Sequence, residues 1–489
     1  MAAPVAAPGA APAASSAPRP RPALDGRTRY AYATGDIPNA IKIITTGLYA
    51  FFFYTSVMGL SGSLVGLAGA IGLVYDAVID PYIGDLSDRS RSRWGRRHVF
   101  MLAGAATMGI GFWLSFSPPR GLSQWELFAW ALATGFVVRT ATSMYRVPYF
   151  ALGAELSRDY DERTRITGLR GVLGLIGSMA AASLSFLLFF PNRGAGDPKL
   201  DYAGYPKMGL VFGAAMTAFA FLAALGTRSW AHVGAEAAAA ERVRPRPHFL
   251  ATAWDCLRNR SFRVLFATTS LFFLAVSINA TLSIHFFTYY VEVTDSKALS
   301  ALKAVFYVAG FVGVLFWLRA SRGLQKHRLY TLGTLSAGVL LIAVYFLMGK
   351  GHLLGTGHAA ALVAANGLVG FFASTLWFVP PSLLADVVDE DELATGHRRE
   401  GSFFGLYSFG QQLAGGAALV LTGLLVDRFA GLVPGQVAQT AETARRIGML
   451  YALLPGALLV IAAAWASRYR LGREQVAAIQ SALDARRAP

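Results

Sequence analysis

The chain has 489 residues, 54% of them hydrophobic and only 15% charged, with a formal charge of +16 from 44 Lys plus Arg against 28 Asp plus Glu. A soluble protein of this length would divide into several domains and need far more charged surface, which excludes that class. The positive charge does not indicate nucleic acid, because most of the basic residues lie in loops between apolar blocks, where they orient a membrane protein.

The apolar blocks are about 20 residues long, enough to span a bilayer core roughly 30 Å thick. In lipid every backbone polar group must be satisfied within the chain, so the blocks read as helices. The single cysteine, Cys256, permits no intramolecular disulfide.

Residues 1–34 open the chain. Their "MAAPVAAPGAAPAASSAPRPRP" lacks the continuous apolar core of a signal peptide, and its prolines oppose a helix. The expectation is a disordered cytoplasmic tail. Six spans follow within 35–229, at 36–58, 62–85, 98–118, 124–153, 168–190 and 207–229. Segment 230–262, with "EAAAAERVRPRPH", is polar and broken by proline, as a linker between halves should be. Six more spans occupy 263–468, at 263–291, 298–320, 328–349, 358–386, 401–426 and 446–468, and 469–489 is a second cytoplasmic tail.

Loop charges give the orientation. Loop 86–97 carries Arg89, Arg91, Arg93, Arg96 and Arg97, and the middle segment carries Arg242, Arg244, Arg246, Arg258 and Arg260. Arg322 and Lys326 lie in loop 321–327, whereas loop 119–123 has only Arg120 and loop 350–357 only Lys350. The positive-inside rule puts the basic set and both termini in the cytoplasm of a multi-pass inner-membrane protein.

The halves repeat one pattern. "VPYFALGAELSRDYDERTRITG" (147–168) and "VPPSLLADVVDEDELATGHRREG" (379–401) both begin Val-Pro and reach an Ala-acid pair, Ala154-Glu155 and Ala385-Asp386. Each then passes a charged loop to a glycine. Matching features in the two halves indicate a duplicated transporter.

Ionisable residues inside a membrane cost between roughly 2.5 and 17 kcal/mol and are functional candidates by default. Here they are Lys42, Asp76, Asp80, Arg139, Arg146 and His285. Asp76 and Asp80 share a helix face one turn apart. At ~1.5 Å per residue they lie roughly 13 and 7 Å from the inner end at Asp85. Pro81 donates no N–H, which frees the carbonyl of Ala77. Two carboxylates and a free carbonyl form a hard-oxygen site for a small cation or a proton. The alternative is a structural salt bridge to arginine. Arg139 and Arg146, seven apart, either clamp an anionic solute or neutralise the two aspartates, and the two roles can alternate in a cycle. Lys42 either snorkels to water or meets solute. His285 is a proton relay or a polar contact. Gln411 and Gln412, neutral donors, bind solute or a neighbouring helix. The glycines of "GSLVGLAGAIG" (62–72) permit close helix packing.

"YDAVIDPYIGDLSDRSRSRWGRR" resembles the second helix and following loop of the glycoside–pentoside–hexuronide:cation symporters, the melibiose permease group of the major facilitator superfamily. "FFFYTSVMGLS", "VPYFALGAELSRDYDERTRI" and "RREGSFFGLYSFGQQLAGG" support the same resemblance, which runs from about Tyr32 to the end of the twelfth helix. It implies an all-α membrane protein of twelve helices in two six-helix bundles, alternating access, and coupling to sodium, lithium or protons, with no other cofactor. By resemblance the cation site, for sodium or another of the family's coupling ions, is Asp76 and Asp80, with Ser143 standing where the family has threonine. The cytoplasmic gate falls on Gly84, Asp88, Arg89, Arg93, Gly95 and Arg96, together with Glu155, Arg163 and Asp386. The sugar-contacting acid of the fourth helix is replaced by Arg146, that of the first helix by Ala40, and an eleventh-helix lysine by Gln412. An acid-bearing solute therefore fits better than a galactoside, with Asn39, Lys42, Arg139, Thr142, Arg146, Gln411 and Gln412 as its candidate contacts.

The expected function is cation-coupled symport, by a monomer in the bilayer, of a sugar-like, acid-bearing small molecule. The alternatives are symport of a lysophospholipid or other amphiphile, and an uncoupled facilitator or exporter. The sequence has no H-E-x-x-H, G-x-S-x-G or phosphate-loop motif, so no enzyme is expected.

Overall fold

The computed structural model describes residues 24–90, 92–157, 159–192, 194, 196–230 and 249–487. The tail residues 1–23, Arg91 and the linker arginines Arg242, Arg244 and Arg246 lie outside them. Among the described residues every regular element is helical.

The first half comprises α1 (Gly26–Thr34), α2 (Ile37–Thr45), α3 (Gly62–Arg89), α4 (His98–Ser115), α5 (Gln124–Glu155), α6 (Tyr160–Phe189) and α7 (Gly204–Gly226). The second comprises α8 (Phe249–Arg258), α9 (Arg260–His285), α10 (Ser296–Ala320), α11 (Lys326–Leu347), α12 (Ala359–Ala373), α13 (Val379–Thr395), α14 (Glu400–Leu425), α15 (Ala441–Gly448), α16 (Leu454–Ala466) and α17 (Arg473–Arg487). Eleven helices are long and apolar enough to cross a bilayer. The expected first span, 36–58, is the twelfth. It is α2 continued through two π turns, Thr46–Ala50 and Phe53–Val57.

The elements alternate in direction, so the loops fall at two ends. The basic end carries loop 90–97, the α5–α6 loop and α17. The opposite end carries loops 58–61, 190–203, 291–295 and 431–440.

Three expectations need correction. The tail expected over 1–34 contains α1, because the Ala/Pro-rich stretch stops at Pro22 and Asp25 then caps a helix, accepting from Thr28 N. Burial holds α1 in place: Tyr32 and Ala33 are buried, and Tyr149 donates to the Tyr32 carbonyl at 2.8 Å. The linker expected over 230–262 contains α8 and the start of α9; Cys256 is buried among Phe262, Leu384 and Val388, giving this stretch a reason to fold. The terminal segment from 469 contains α17, whose Arg486 donates to the Leu393 carbonyl at 2.7 Å.

The core is not the same at the two ends. A single apolar cluster joins both halves at the end opposite the basic loops, with Phe52, Phe53, Phe116 and Tyr205 from the first half and Phe286, Phe287, Leu299 and Leu432 from the second. Towards the basic end the second half has its own cluster, around Phe262, Leu265, Tyr330 and Val387.

Candidate functional site

Asp76 and Asp80 project from α3 towards α5, where Arg139, Ser143 and Arg146 follow one another at helical spacing. Arg139 forms an ion pair with Asp76. Arg146 donates to Asp80 Oδ2 at 2.6 Å, and the Ser143 hydroxyl donates to Asp80 Oδ1. Beside the Asp76–Arg139 pair, Tyr75 and Thr140 share a hydroxyl hydrogen bond of 2.6 Å. Gly72 makes room for this ladder, since a Cβ there would collide with the Arg139 guanidinium. The ion-paired side chains keep between 18% and 33% of their surface exposed, so the ladder borders open space rather than a sealed core. Asp76 Oδ1 is buried without a hydrogen-bond partner. In this conformation the salt-bridge alternative is the one realised.

The remaining expected contacts divide. Lys42 and Arg139 line one cleft, bounded by α2, α3, α4 and α5 with Thr281 of α9 and Leu419 of α14, and open to solvent. Thr142 is buried, and its hydroxyl donates to the Val138 carbonyl of its own helix at 2.6 Å. Asn39 lies near Asp36, and Gln411 near Tyr407. Gln412 and Ala77 are exposed.

The gate residues tie each half to itself. Glu155, at the end of α5, accepts from Arg96 and from Arg97 at 2.6 Å, and Arg97 also pairs with Asp88 at 3.3 Å. Gly95 holds the connecting turn at φ +93°, a left-handed conformation that favours glycine. Arg163 caps the carbonyl end of α5 through Ala154 O and Ser157 O. Arg89 pairs with Asp85 on the exposed helix end, Arg93 is exposed, and Gly84 lies near Val147. In the second half Asp386 pairs with Lys326 at 2.8 Å. The repeat read from sequence is thus realised twice, with the acid of the Ala-acid pair holding the basic loop of its own bundle. Among the described residues every ion pair stays within one half. Acid and base sit on neighbouring helices of one bundle, within reach whatever the other bundle does.

Sequence reasoning missed what joins the halves at the opposite end. Asp427, just beyond α14, accepts from the first backbone N–H groups of α3, Gly62 at 2.8 Å and Ser63 at 2.7 Å. His285 shares a 2.9 Å hydrogen bond with Thr55, and Gly435 N donates to Thr55 O. Ser183 meets Ser300, and Ser296 meets Asn192. Lys199 Nζ donates to the Val293 carbonyl at 3.1 Å, and burial holds this lysine below its ordinary pKa against the pull of Asp197. Glycines bring α3 and α14 into backbone contact, with Gly66 against the Leu419 carbonyl and Gly423 against Gly62. Past Leu73 the α3 side chains Val74, Val78 and Tyr82 are exposed. The halves are sealed at one end and parted at the basic end.

Two helical bundles around a charged cleft, closed at one end, define a transporter of the major facilitator type. The sequence model of the MFS/sugar transport protein family matches residues 31–473, and the chain belongs to that family. It is 27% identical to an uncharacterized symporter of Synechocystis, over 84% of this chain and 87% of that one. It is 24% identical to a putative glycoside/cation symporter of Escherichia coli (94% and 95% covered) and to the isoprimeverose transporter of Lactiplantibacillus pentosus (87% and 85%). Among solved structures it resembles in fold the nucleoside transporter NupG, with a TM-score of 0.62 at 12% identity over 90% of this chain and 98% of that one.

Proposed function

We propose that the chain is a monomeric cation-coupled symporter of an acid-bearing solute, with proton or sodium as the coupling ion. The relatives named for glycosides, isoprimeverose and a glucuronide point to a sugar-like solute. The positive-inside rule sets the basic end in the cytoplasm, so the conformation described here faces inward.

The observation that carries this reading is the engagement of both Asp80 oxygens, one by Ser143 and the other by Arg146. A cation beside Arg146 is repelled, so no ion occupies the pair as it stands. A solute carboxylate competes for the same guanidinium, which it can grip bidentately. When it draws Arg146 away, Asp80 is left as a bare carboxylate in a low-dielectric site, and a proton or sodium ion then relieves it. Solute anion and coupling cation thus enter together, each leaving its half of the exchanged pair neutral. Joint occupancy favours movement of the halves.

The test is uptake of D-glucuronate and of other carboxylates into proteoliposomes, with and without an inward sodium or proton gradient. Gradient-driven accumulation that Asp80→Asn abolishes, with exchange retained, supports symport. Accumulation by Asp80→Asn equal to wild type would sink it and favour an uncoupled carrier.

A further inference from the structure

The cleft changes character along its length. Residues 42, 46, 47, 50, 51 and 54 form one stripe along the first span, running from the charged ladder towards the sealed end. At the charged end are Lys42 and Arg139. Beyond them the walls are Phe51, Tyr54, Phe112, Phe116, Val138 and Leu419, and no carboxylate, amide or imidazole side chain lines the space. Two of its few hydroxyls are already spent on backbone: Tyr54 donates to the Ser115 carbonyl at 2.8 Å, and Ser115 to that of Gly111 at 3.0 Å. A polyhydroxylated body would leave most of its hydrogen-bonding groups unsatisfied there, at a cost for each.

The charge at the other end is unbalanced. Asp76 is paired with Arg139 and Asp80 with Arg146, while Lys42 makes no ion pair with any described residue. With Asp36 and Arg170, which lie near Arg146, four cations stand against three carboxylates and leave one positive charge at this end. An unpaired charge at such depth is costly, and an anion relieves it. Room for a bulky group is built in, since Cβ atoms added at Gly47 or Gly135, both in the lining, would meet nothing within 4 Å.

We propose that this pocket holds the apolar body of a monoanionic solute whose acid group pairs with Lys42, so that the solute is an aryl- or alkyl-bearing carboxylate rather than a bare sugar acid. The proposal deepens, and rests on, the reading of this cleft as the solute route. Lys42 holds the carboxylate, the aromatic walls hold the body, and Arg146 exchanges between solute and Asp80 as the acid passes.

Purified protein in nanodiscs is titrated with 4-phenylbutyrate, its methyl ester and D-glucuronate, with equilibrium binding and thermal shift as readouts. 4-Phenylbutyrate binds, and both the ester and D-glucuronate bind at least about tenfold more weakly. Lys42→Met lowers the affinity for 4-phenylbutyrate by at least about tenfold, and Lys42→Arg retains it. Gly135→Leu fills the pocket with a better helix former, so the fold is kept while 4-phenylbutyrate binding is lost. D-Glucuronate binding as tight as that of 4-phenylbutyrate overturns the proposal, as does undiminished binding to Gly135→Leu. Gradient-driven uptake of D-glucuronate with no response to 4-phenylbutyrate overturns this inference and leaves symport standing. Lys42-dependent binding of 4-phenylbutyrate with no coupled flux of either acid overturns symport and leaves the pocket.

Discussion

The two ends of the molecule are held by different chemistry. At the sealed end the halves meet through apolar packing and a few hydrogen bonds: Thr55 with His285, Ser183 with Ser300, and Asp427 on the start of α3. At the basic end ion pairs hold each half together internally: Arg96 and Arg97 with Glu155, and Lys326 with Asp386. A gate has to break in every cycle, whereas a bundle must not. A few separate hydrogen bonds, each worth about 1–3 kcal/mol net, suit a contact that is remade repeatedly. Multidentate arginine–carboxylate clusters suit the rigid bodies on either side of it.

The difference can be broken on purpose. The largest expected effect is at the charged ladder between α3 and α5. Arg139→Ala leaves Asp76 without its counter-ion and should destabilise the protein by about 3 kcal/mol. The double variant Asp76→Asn/Arg139→Gln should recover most of that loss in thermal unfolding. No recovery would mean that the pair is not the source of the loss.

Next is the seal. Asp427→Ala removes a charged acceptor from two α3 N–H groups and should cost the sealed state about 1.5–3 kcal/mol, shifting the conformational ratio roughly tenfold or more. Spin labels at exposed Trp125 and Val437, in different halves at the sealed end, should show a longer-distance population growing in the variant. An unchanged distance distribution would contradict the latch. Thr55→Val should act in the same direction by about 1–2 kcal/mol, because it leaves a buried His285 nitrogen unpaired.

The smallest effect sharpens the contrast. Glu400 and its partner Arg398 are both largely exposed, so Glu400→Ala should cost about 1 kcal/mol or less. It should leave the Trp125–Val437 distance distribution unaltered, because its partner lies in its own half. A shift there as large as that of Asp427→Ala would erase the distinction between the ends.

Much of the fold was legible because lipid imposes a length and a polarity on each span. Asp76, Asp80, Arg139 and Arg146 stood out because charge inside a bilayer is rare, and the structure brings all four together. The Ala-acid repeat was legible for the same reason. Of the seal only the close-packing glycines of 62–72 were legible, because Thr55, Ser183, Ser300 and Gly435 are neutral residues with no periodic signature, and their partners lie far away in the chain. The aromatic pocket was equally hidden, since Phe112 and Phe116 read like any lipid-facing or core residue. Asp25 ahead of "GRTRYAYAT" was a legible cap, masked by the proline-rich stretch before it.

The central claim is that Arg146 exchanges between Asp80 and a solute carboxylate, so that solute and cation move together. It is tested most directly in proteoliposomes with whichever of D-glucuronate and 4-phenylbutyrate the wild type accumulates under a sodium or proton gradient. The account predicts that Asp80→Asn exchanges that acid across the membrane but no longer accumulates it, and that Arg146→Gln does neither. Full accumulation by either variant would contradict it.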